Sequence, residues 1–460
     1  MHTKVKVFTH DKSFYKSLIL LSLPIALQNL ITFAIGLADN VMLSPLGDSA
    51  VSGVYMANQV QTLLQLLSGG IESAILVLAT QYLGKGDTES MRRISAIGVR
   101  VDALFGALTS IVCIFAPSFV LSLFTNKAEI IDTGAEYLFI LAFSFIPFTI
   151  TQALIATARS TENPRIGTYV SLLSLATNVG LNYILIYGKL GLPALGVRGA
   201  AIATLISRLI ECAIIIIYTL FIEKRLKLRL IYLFRFDKKL FFDFLRYGAP
   251  LLLGQIVWAS NMLIGSGIMG RQSEEGIVAA LSIANTMHNL AYVTMNGMAG
   301  AVGIITGKTV GSGDTEKMKE YARTTQIIFL ALGLVTGLGV WLLKSPFISL
   351  YRVSESAIAQ AHLLINVISV TIIGSCYQVA CLFGLVKSGG DTGFVFRMDL
   401  IFVFLIVLPA GFISSWLGAP GWVVFAALKC DQILKCFVAF FKIRTYNWMK
   451  NLTRGENKAA

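Results

Sequence analysis

Eleven residues of this chain occur twice. Gln81-Tyr82-Leu83-Gly84-Lys85-Gly86-Asp87-Thr88-Glu89-Ser90-Met91 returns, with substitutions, as Lys308-Thr309-Val310-Gly311-Ser312-Gly313-Asp314-Thr315-Glu316-Lys317-Met318, about 227 residues later. Each copy follows two long apolar stretches and precedes a third. Arg159-Ser160 and Lys387-Ser388 open paired polar loops at nearly the same offset, and Pro24 and Gln28 are echoed by Pro250 and Gln255. Half of the 460 residues is 230, so the chain divides into two equivalent halves, and the fold has to be built from one unit used twice.

The apolar content says what kind of unit it is. Hydrophobic residues make up 55% of the chain and charged residues only 14%, against the quarter or so usual in soluble domains. Twelve spans of about 20 residues need roughly 240 apolar positions, which this composition supplies, leaving no room for a soluble catalytic domain. Apolar stretches fall at 17–44, 50–83, 94–123, 129–157, 165–188 and 198–222, then at 241–269, 277–309, 323–350, 357–386, 395–416 and 420–442. The expectation is an all-α membrane protein of 12 transmembrane helices. Residues 1–222 form one six-helix lobe, 223–240 a basic linker and 241–460 the second lobe. Six is even, so both halves enter the membrane from the same side, as a parallel pseudo-two-fold repeat. Repeats of this kind are a sign of secondary transporters.

A net charge of +13 raises the question of nucleic acid. Its placement answers against it: about 27 Lys and Arg lie in the N-terminus, alternate loops and tail, and about 6 in the intervening loops. That is the positive-inside bias, and it puts both termini in the cytoplasm of a multi-pass plasma-membrane protein. Lys12 and Lys16 precede an apolar run that continues to Leu43 without a small-residue cleavage site, which reads as a first span rather than a signal peptide. The six cysteines lie in apolar segments without C-x-x-C spacing, so neither a disulfide framework nor a zinc site follows. No nucleotide-binding motif is present.

The repeated loops read first as helix punctuation. Gly84 and Gly86 suit left-handed helix ends, Asp87 or Thr88 suits the cap that follows, and Asn163-Pro164 suits the same job with a proline in the first turn. Pro147 and Pro409 lie inside spans and predict kinks.

Ionisable groups inside spans need a partner or a task. Arg208 with Glu211, Asp431 with Lys435, and Arg100 with Asp102 are expected to be structural pairs; Lys429 has no obvious partner. Asp39 has no basic residue near it along the first span, so it should hold a proton or a cation, unless it is a helix-end carboxylate near water. Glu72 is a second acid without an evident partner. Asn178 and Asn182 share a helix face, and Thr204 follows in the sixth span; such oxygens with one carboxylate suit a hard cation, although asparagines in spans also serve as interhelical glue. The second half carries Gln255, Asn261, Asn289 and Gln378 interleaved with Met262, Met287 and Met295. With Gln28 these are candidates for a cargo cavity, where adaptable methionines suit varied ligands as well as ordinary packing.

Taken in order, these residues resemble the multidrug and toxic compound extrusion (MATE) family over the whole chain. The resemblance rests on Leu23-Pro24, Gln81–Asp87, Arg159-Ser160-Thr161-Glu162-Asn163-Pro164, Asn182–Gly188, Gly196-Val197-Arg198-Gly199-Ala200-Ala201 and Lys387–Thr392. It implies a monomeric, cofactor-free antiporter, not an enzyme, that exports organic and often cationic compounds against Na⁺ or H⁺. It also implies that Asp39, with Asn178, Asn182 and Thr204, forms a first-lobe cation site, with Glu72 as a conjectural addition. The chain departs from the pattern at Asn182, where some relatives carry a second aspartate, and at Gln255 and Gln378, where others carry acids. A second-lobe cation site is therefore not expected. A lipid-linked saccharide flippase of the same architecture is the alternative, but its arginine-rich cavity has no counterpart here.

Overall fold

The computed structural model describes residues 8–454, in which all regular structure is helical. The first half runs α1 (Lys12–Leu43), α2 (Asp48–Lys85), α3 (Thr88–Phe115), α4 (Pro117–Ser122), α5 (Ala128–Ala142), α6 (Phe145–Ser160), α7 (Arg165–Tyr187) and α8 (Gly196–Ile217). A short α9 (Ile231–Phe234) lies in the linker. The second half runs α10 (Lys238–Gly270), α11 (Ile277–Gly311), α12 (Thr315–Ile348), α13 (Glu355–Gln378), α14 (Thr392–Ile401), α15 (Leu408–Trp416), α16 (Gly421–Leu428) and α17 (Asp431–Thr445). Ten helical segments are long and apolar enough to cross a membrane, or eleven when α5 and α6 count as one bent span. The remaining stretch, 420–442, is divided between α16 and α17, which part at Lys429 and Cys430.

Proline explains two of the irregularities. The α5–α6 pair bends by 52° at Phe143–Ser144, where Pro147 can offer no N–H to the Phe143 carbonyl one turn earlier. Pro409 likewise cannot serve the Leu405 carbonyl, and the turns at Phe402–Val407 widen to π-helical geometry between α14 and α15.

The duplicated loops fold alike. Asp87 accepts from the Ser90 backbone N–H at 2.9 Å at the start of α3, and Asp314 from that of Lys317 at 3.1 Å at the start of α12. Gly86 and Gly313 take the left-handed φ values of +82° and +81° that these turns require. Gly84 differs from expectation: it is an ordinary helical residue of α2, and its smallness serves close approach. A Cβ there would lie 1.9 Å from the Lys308 carbonyl oxygen. Asn163 does not cap α7 either; its amide instead donates to the Tyr218 hydroxyl at 2.6 Å.

Two compact units emerge. One holds the chain up to Ala26, Gly84–Gly86 and everything from Leu253 onward; the other holds Leu27–Leu83 and Asp87–Leu252. The unit changes within α1 and within α10, beside Pro24 and Pro250. The second of these units is cored by residues such as Leu64, Leu121, Tyr137 and Phe145, and the first by Met295, Ile365, Ile368 and Val424.

In the unit that contains the C-terminal half, the tail folds back on the 387–392 loop. Trp448 is wholly buried and fills the space beside Gly389, where a Cβ would meet the indole at 2.4 Å. Asp391, 5% exposed, accepts from Lys442 and Lys450, each at 2.8 Å. Burial alone would raise the Asp391 pKa, but the two ammonium groups outweigh it and hold the carboxyl below its ordinary range. Asp391→Asn should therefore destabilise the solubilised protein by about 3 kcal/mol at pH 7, the cost of stranding a buried partner. A depressed native pKa stabilises above the unfolded-state value and stops doing so as pH falls through the native one. The difference in thermal midpoint between wild type and variant should thus shrink on acidification; a constant difference would mean that the ion pairs are not its source.

Candidate functional site

The site begins with close packing of α7 on α8. Gly199 lies against the end of α7, where a Cβ would sit 2.6 Å from the Leu185 carbonyl oxygen, and Ala200, Ala201 and Ala203 are buried behind it. Small residues let two membrane helices approach, so that short polar side chains can bond across them. Asn178 donates to the Thr204 hydroxyl at 3.4 Å, and Asn182 to the Asn178 carbonyl oxygen at 3.2 Å. The second N–H of Asn182 reaches α1 and donates to Asp39 Oδ1 at 2.6 Å. Three helices are tied by this one chain of amides. Asn178 and Asn182 are 1% and 0% exposed.

The Asp39 contact dictates which way the Asn182 amide points. A carboxylate oxygen at that distance needs an N–H, so nitrogen faces Asp39 and Asn182 Oδ1 faces elsewhere. That oxygen is buried and has no hydrogen-bond partner among the described residues. An acceptor left bare beside a carboxylate is a costly arrangement that calls for a cationic or donor ligand.

Asp39 also lines a polar cavity of about 250 Å³. Thr32, Asn178, Thr204 and Arg208 contribute, together with a face of α2 that the sequence reading passed over: Asn58, Gln61, Thr62 and Gln65. Their i, i+3, i+4, i+7 spacing was the available signal. Arg208 is the obvious candidate to neutralise Asp39, but it is already committed. Its guanidinium meets Glu211 at 2.7 Å and lies over the Phe148 ring at 5.0 Å. Among the described residues Asp39 makes no ion pair.

Other acids fare differently. Glu72, read from sequence as an acid without a partner, lies 3.6 Å from the Arg159 guanidinium and accepts from Gln152 at 3.3 Å. Helical side chains lean toward the N-terminus, so Arg159, in the last turn of α6, reaches back toward mid-span. The same guanidinium donates to Gln28 at 2.8 Å, which makes Gln28 a buried member of this network. The expected Arg100–Asp102 pair does not form, because residues two apart point to different sides of a helix. Asp102 accepts from Ser68 at 2.7 Å, and Arg100 donates to the Ala96 carbonyl.

The remaining candidates belong to the other unit, and none lines this cavity. Met287 and Met295 are packed into that unit's core, whereas Met262 and Asn289 are exposed and Gln255, Asn261 and Gln378 partly so. Here two acids share one cation: Lys435 bridges Asp399 at 2.9 Å and Asp431 at 3.2 Å. Lys429 lies 5.7 Å from the Phe425 ring centroid. Among the described residues no three His, Cys, Asp or Glu side chains cluster to hold a metal ion.

Known proteins share both sequence and architecture with the chain. The MatE family pattern matches residues 24–184 and again 250–413, one match in each half. The probable multidrug resistance protein NorM of Rhizobium meliloti is 27% identical over 87% of this chain and 86% of its own length. The uncharacterized transporter YisQ of Bacillus subtilis is 25% identical over 96% of both. Among solved structures, a MATE protein in a bent conformation superposes with a TM-score of 0.85 at 19% identity, covering 94% of this chain and 95% of its own. A MOP superfamily transporter from Pyrococcus furiosus superposes with a TM-score of 0.86 at 20% identity, covering 99% and 100%. These likenesses do not favour the flippase alternative. The chain belongs to the MATE family of multidrug transporters, and it is a secondary transporter rather than an enzyme.

Proposed function

We propose that this protein is an antiporter that exports organic cations in exchange for Na⁺ or H⁺, with Asp39 as the group that the two occupy in turn. The observation carrying this reading is the pairing, among the described residues, of an Asp39 carboxylate that lacks a counter-ion with an Asn182 carbonyl oxygen that lacks a donor. A bare proton on Asp39 leaves that oxygen unserved. A hard cation with several oxygen ligands serves both once it displaces the Asn182 N–H from Asp39 and the amide turns its oxygen inward, and Thr204 supplies a hydroxyl from α8, so the arrangement favours Na⁺.

The cycle follows from electrostatics. The cation enters from outside, neutralises Asp39 and drives release of cargo; it leaves inside, and the bare carboxylate recruits the next organic cation. One carboxylate cannot neutralise both at once, and that exclusion is the coupling. A cation moving through 100 mV supplies about 2.3 kcal/mol, and a tenfold concentration gradient about 1.4 kcal/mol. For a singly charged organic cation exchanged one for one, no net charge crosses the membrane, the voltage contribution cancels, and the tenfold ion gradient alone sustains about a tenfold gradient of cargo. In this scheme both termini lie in the cytoplasm, the chain works as a monomer in the plasma membrane, and residues 1–222 and 241–460 act as the two lobes. Gln255, Asn261, Met262, Asn289 and Gln378 are candidates for cargo contact, and Glu72 acts through Arg159 and Gln28 rather than on the ion.

Everted vesicles loaded with a fluorescent organic cation test the scheme under separately imposed Na⁺ and pH gradients. Asp39→Asn should abolish gradient-driven transport while leaving protein in the membrane. Asn182→Ala should raise the Na⁺ concentration for half-maximal transport roughly tenfold, the effect of losing one contact to a charge worth about 1.5 kcal/mol. Undiminished coupled transport by the Asp39 variant would remove that residue from the mechanism, and an unchanged Na⁺ dependence in the Asn182 variant would remove the orphan oxygen from the ion site.

A further inference from the structure

Beyond α8 the chain widens into π-helical turns at Tyr218–Ile222 and then runs extended along the first-half unit. Leu226 and Leu228, 2% and 3% exposed, peg it down. Arg92 donates to the Leu226 carbonyl, and Arg225 donates to the Thr161 carbonyl at 2.9 Å. Glu223 is the only acid between Leu220 and Leu230, and its carboxylate is spent on the backbone. It accepts the N–H groups of Arg225 at 2.9 Å, Leu226 at 2.6 Å and Lys227 at 3.2 Å. That clamp holds Lys227 at φ +50°, a left-handed conformation uncommon for a lysine.

The consequence is a cavity with unbalanced charge. Lys224, Lys227 and Arg229 line a hollow of about 250 Å³ together with Leu220, Phe221, Leu228 and Glu223, whose one negative charge against three positive ones leaves the lining two positive charges in excess. Among the described residues none of these three cationic side chains makes a hydrogen bond or ion pair. The tail of the other unit shows that the same kind of fold-back can be neutralised, since Lys442 and Lys450 both sit on Asp391. The apolar part of the lining is equally incomplete in water: Phe221 is 79% exposed, and Ile222, Leu230, Ile231 and Phe234, which flank the lining residues in sequence, are exposed as well. Cations in one segment with exposed apolar side chains are the two components of a membrane interface.

The geometry points to this cavity as a binding site for an anionic phospholipid, with the phosphate between Lys224, Lys227 and Arg229 and the acyl chains running along Leu220 and Phe221. The apolar rim commits the ligand to the bilayer: a soluble phosphate would satisfy the cations and leave the aromatics exposed. The site stands at the end of the span that carries Thr204 and Arg208, so an occupied cavity anchors the helix that helps to build the cation site.

The test compares the full chain in nanodiscs of phosphatidylcholine doped with phosphatidylglycerol, with bound lipid counted by native mass spectrometry. Wild type should retain phosphatidylglycerol, and Lys224→Gln with Lys227→Gln should weaken retention about thirtyfold, as expected for two cations at the surface. Arg235→Gln with Lys238→Gln removes the same charge from the same linker outside the cavity and should change retention less than threefold. Equal losses in both pairs would mean diffuse attraction and overturn the site. Competition by inorganic phosphate as effective as that by phosphatidylglycerol would make it a soluble-anion site and overturn the lipid assignment. Thermal midpoints in pure phosphatidylcholine establish that each variant is folded. Lys227→Arg, which keeps the charge, should bind within threefold of wild type, and a loss matching the Gln pair would point to backbone damage and overturn the charge argument.

Discussion

A single hydrogen bond, from the Asn182 amide to the Asp39 carboxylate at 2.6 Å, constrains the rest of the first-half unit. It forces the amide to turn its carbonyl oxygen away, ties α1 to α7, and through Asn178 ties α7 to α8. It also leaves the carboxylate, partly buried against a polar cavity, without a counter-ion among the described residues. A hydrogen bond softens that position without neutralising it, and a low-dielectric setting makes the remaining imbalance expensive. The surroundings maintain the imbalance: the nearest available cation, Arg208, is held by Glu211 and a phenyl ring.

The two halves share a plan and differ in how charge is settled. In the second, Lys435 sits between Asp399 and Asp431, so that an ammonium of the chain itself occupies the space between two carboxylates. In the first, Asp39 and Asp102 make no ion pair among the described residues; Asp102 is closed in against Ser68, whereas Asp39 faces a cavity. Duplication supplies matched helices, caps and turns; divergence of a few polar side chains has left Asp399 and Asp431 sharing a lysine in one unit and Asp39 facing a cavity without an ion pair, among the described residues, in the other. That division accords with a single exchangeable cation.

Much of the architecture was legible because a membrane restricts the choices so severely. The repeat, the apolar spans and the proline breaks at Pro147 and Pro409 all express the need to satisfy backbone groups without water. The caps at Asp87 and Asp314 were readable for the same local reason. What escaped were relations between residues distant in sequence. Arg159 meets Glu72 only because α6 packs beside α2, and Asp102 turns to Ser68 rather than to Arg100. The α2 contribution to the cavity was written in the spacing of Asn58, Gln61, Thr62 and Gln65, but polar residues on a long apolar helix have no stated direction until a neighbour gives them one. Gly84 looked like a turn and proved to be a contact, since sequence does not distinguish a glycine needed for its φ from one needed for its size.

Mutual exclusion at Asp39 is tested most directly by equilibrium binding, without the complications of transport. Affinity of the purified protein for a fluorescent organic cation should be titrated at several Na⁺ concentrations, at constant ionic strength and pH. Competition for one carboxylate gives an apparent Kd that rises linearly with Na⁺ in wild type and is independent of Na⁺ in Asp39→Asn. A wild-type Kd that Na⁺ leaves unchanged or lowers would contradict it.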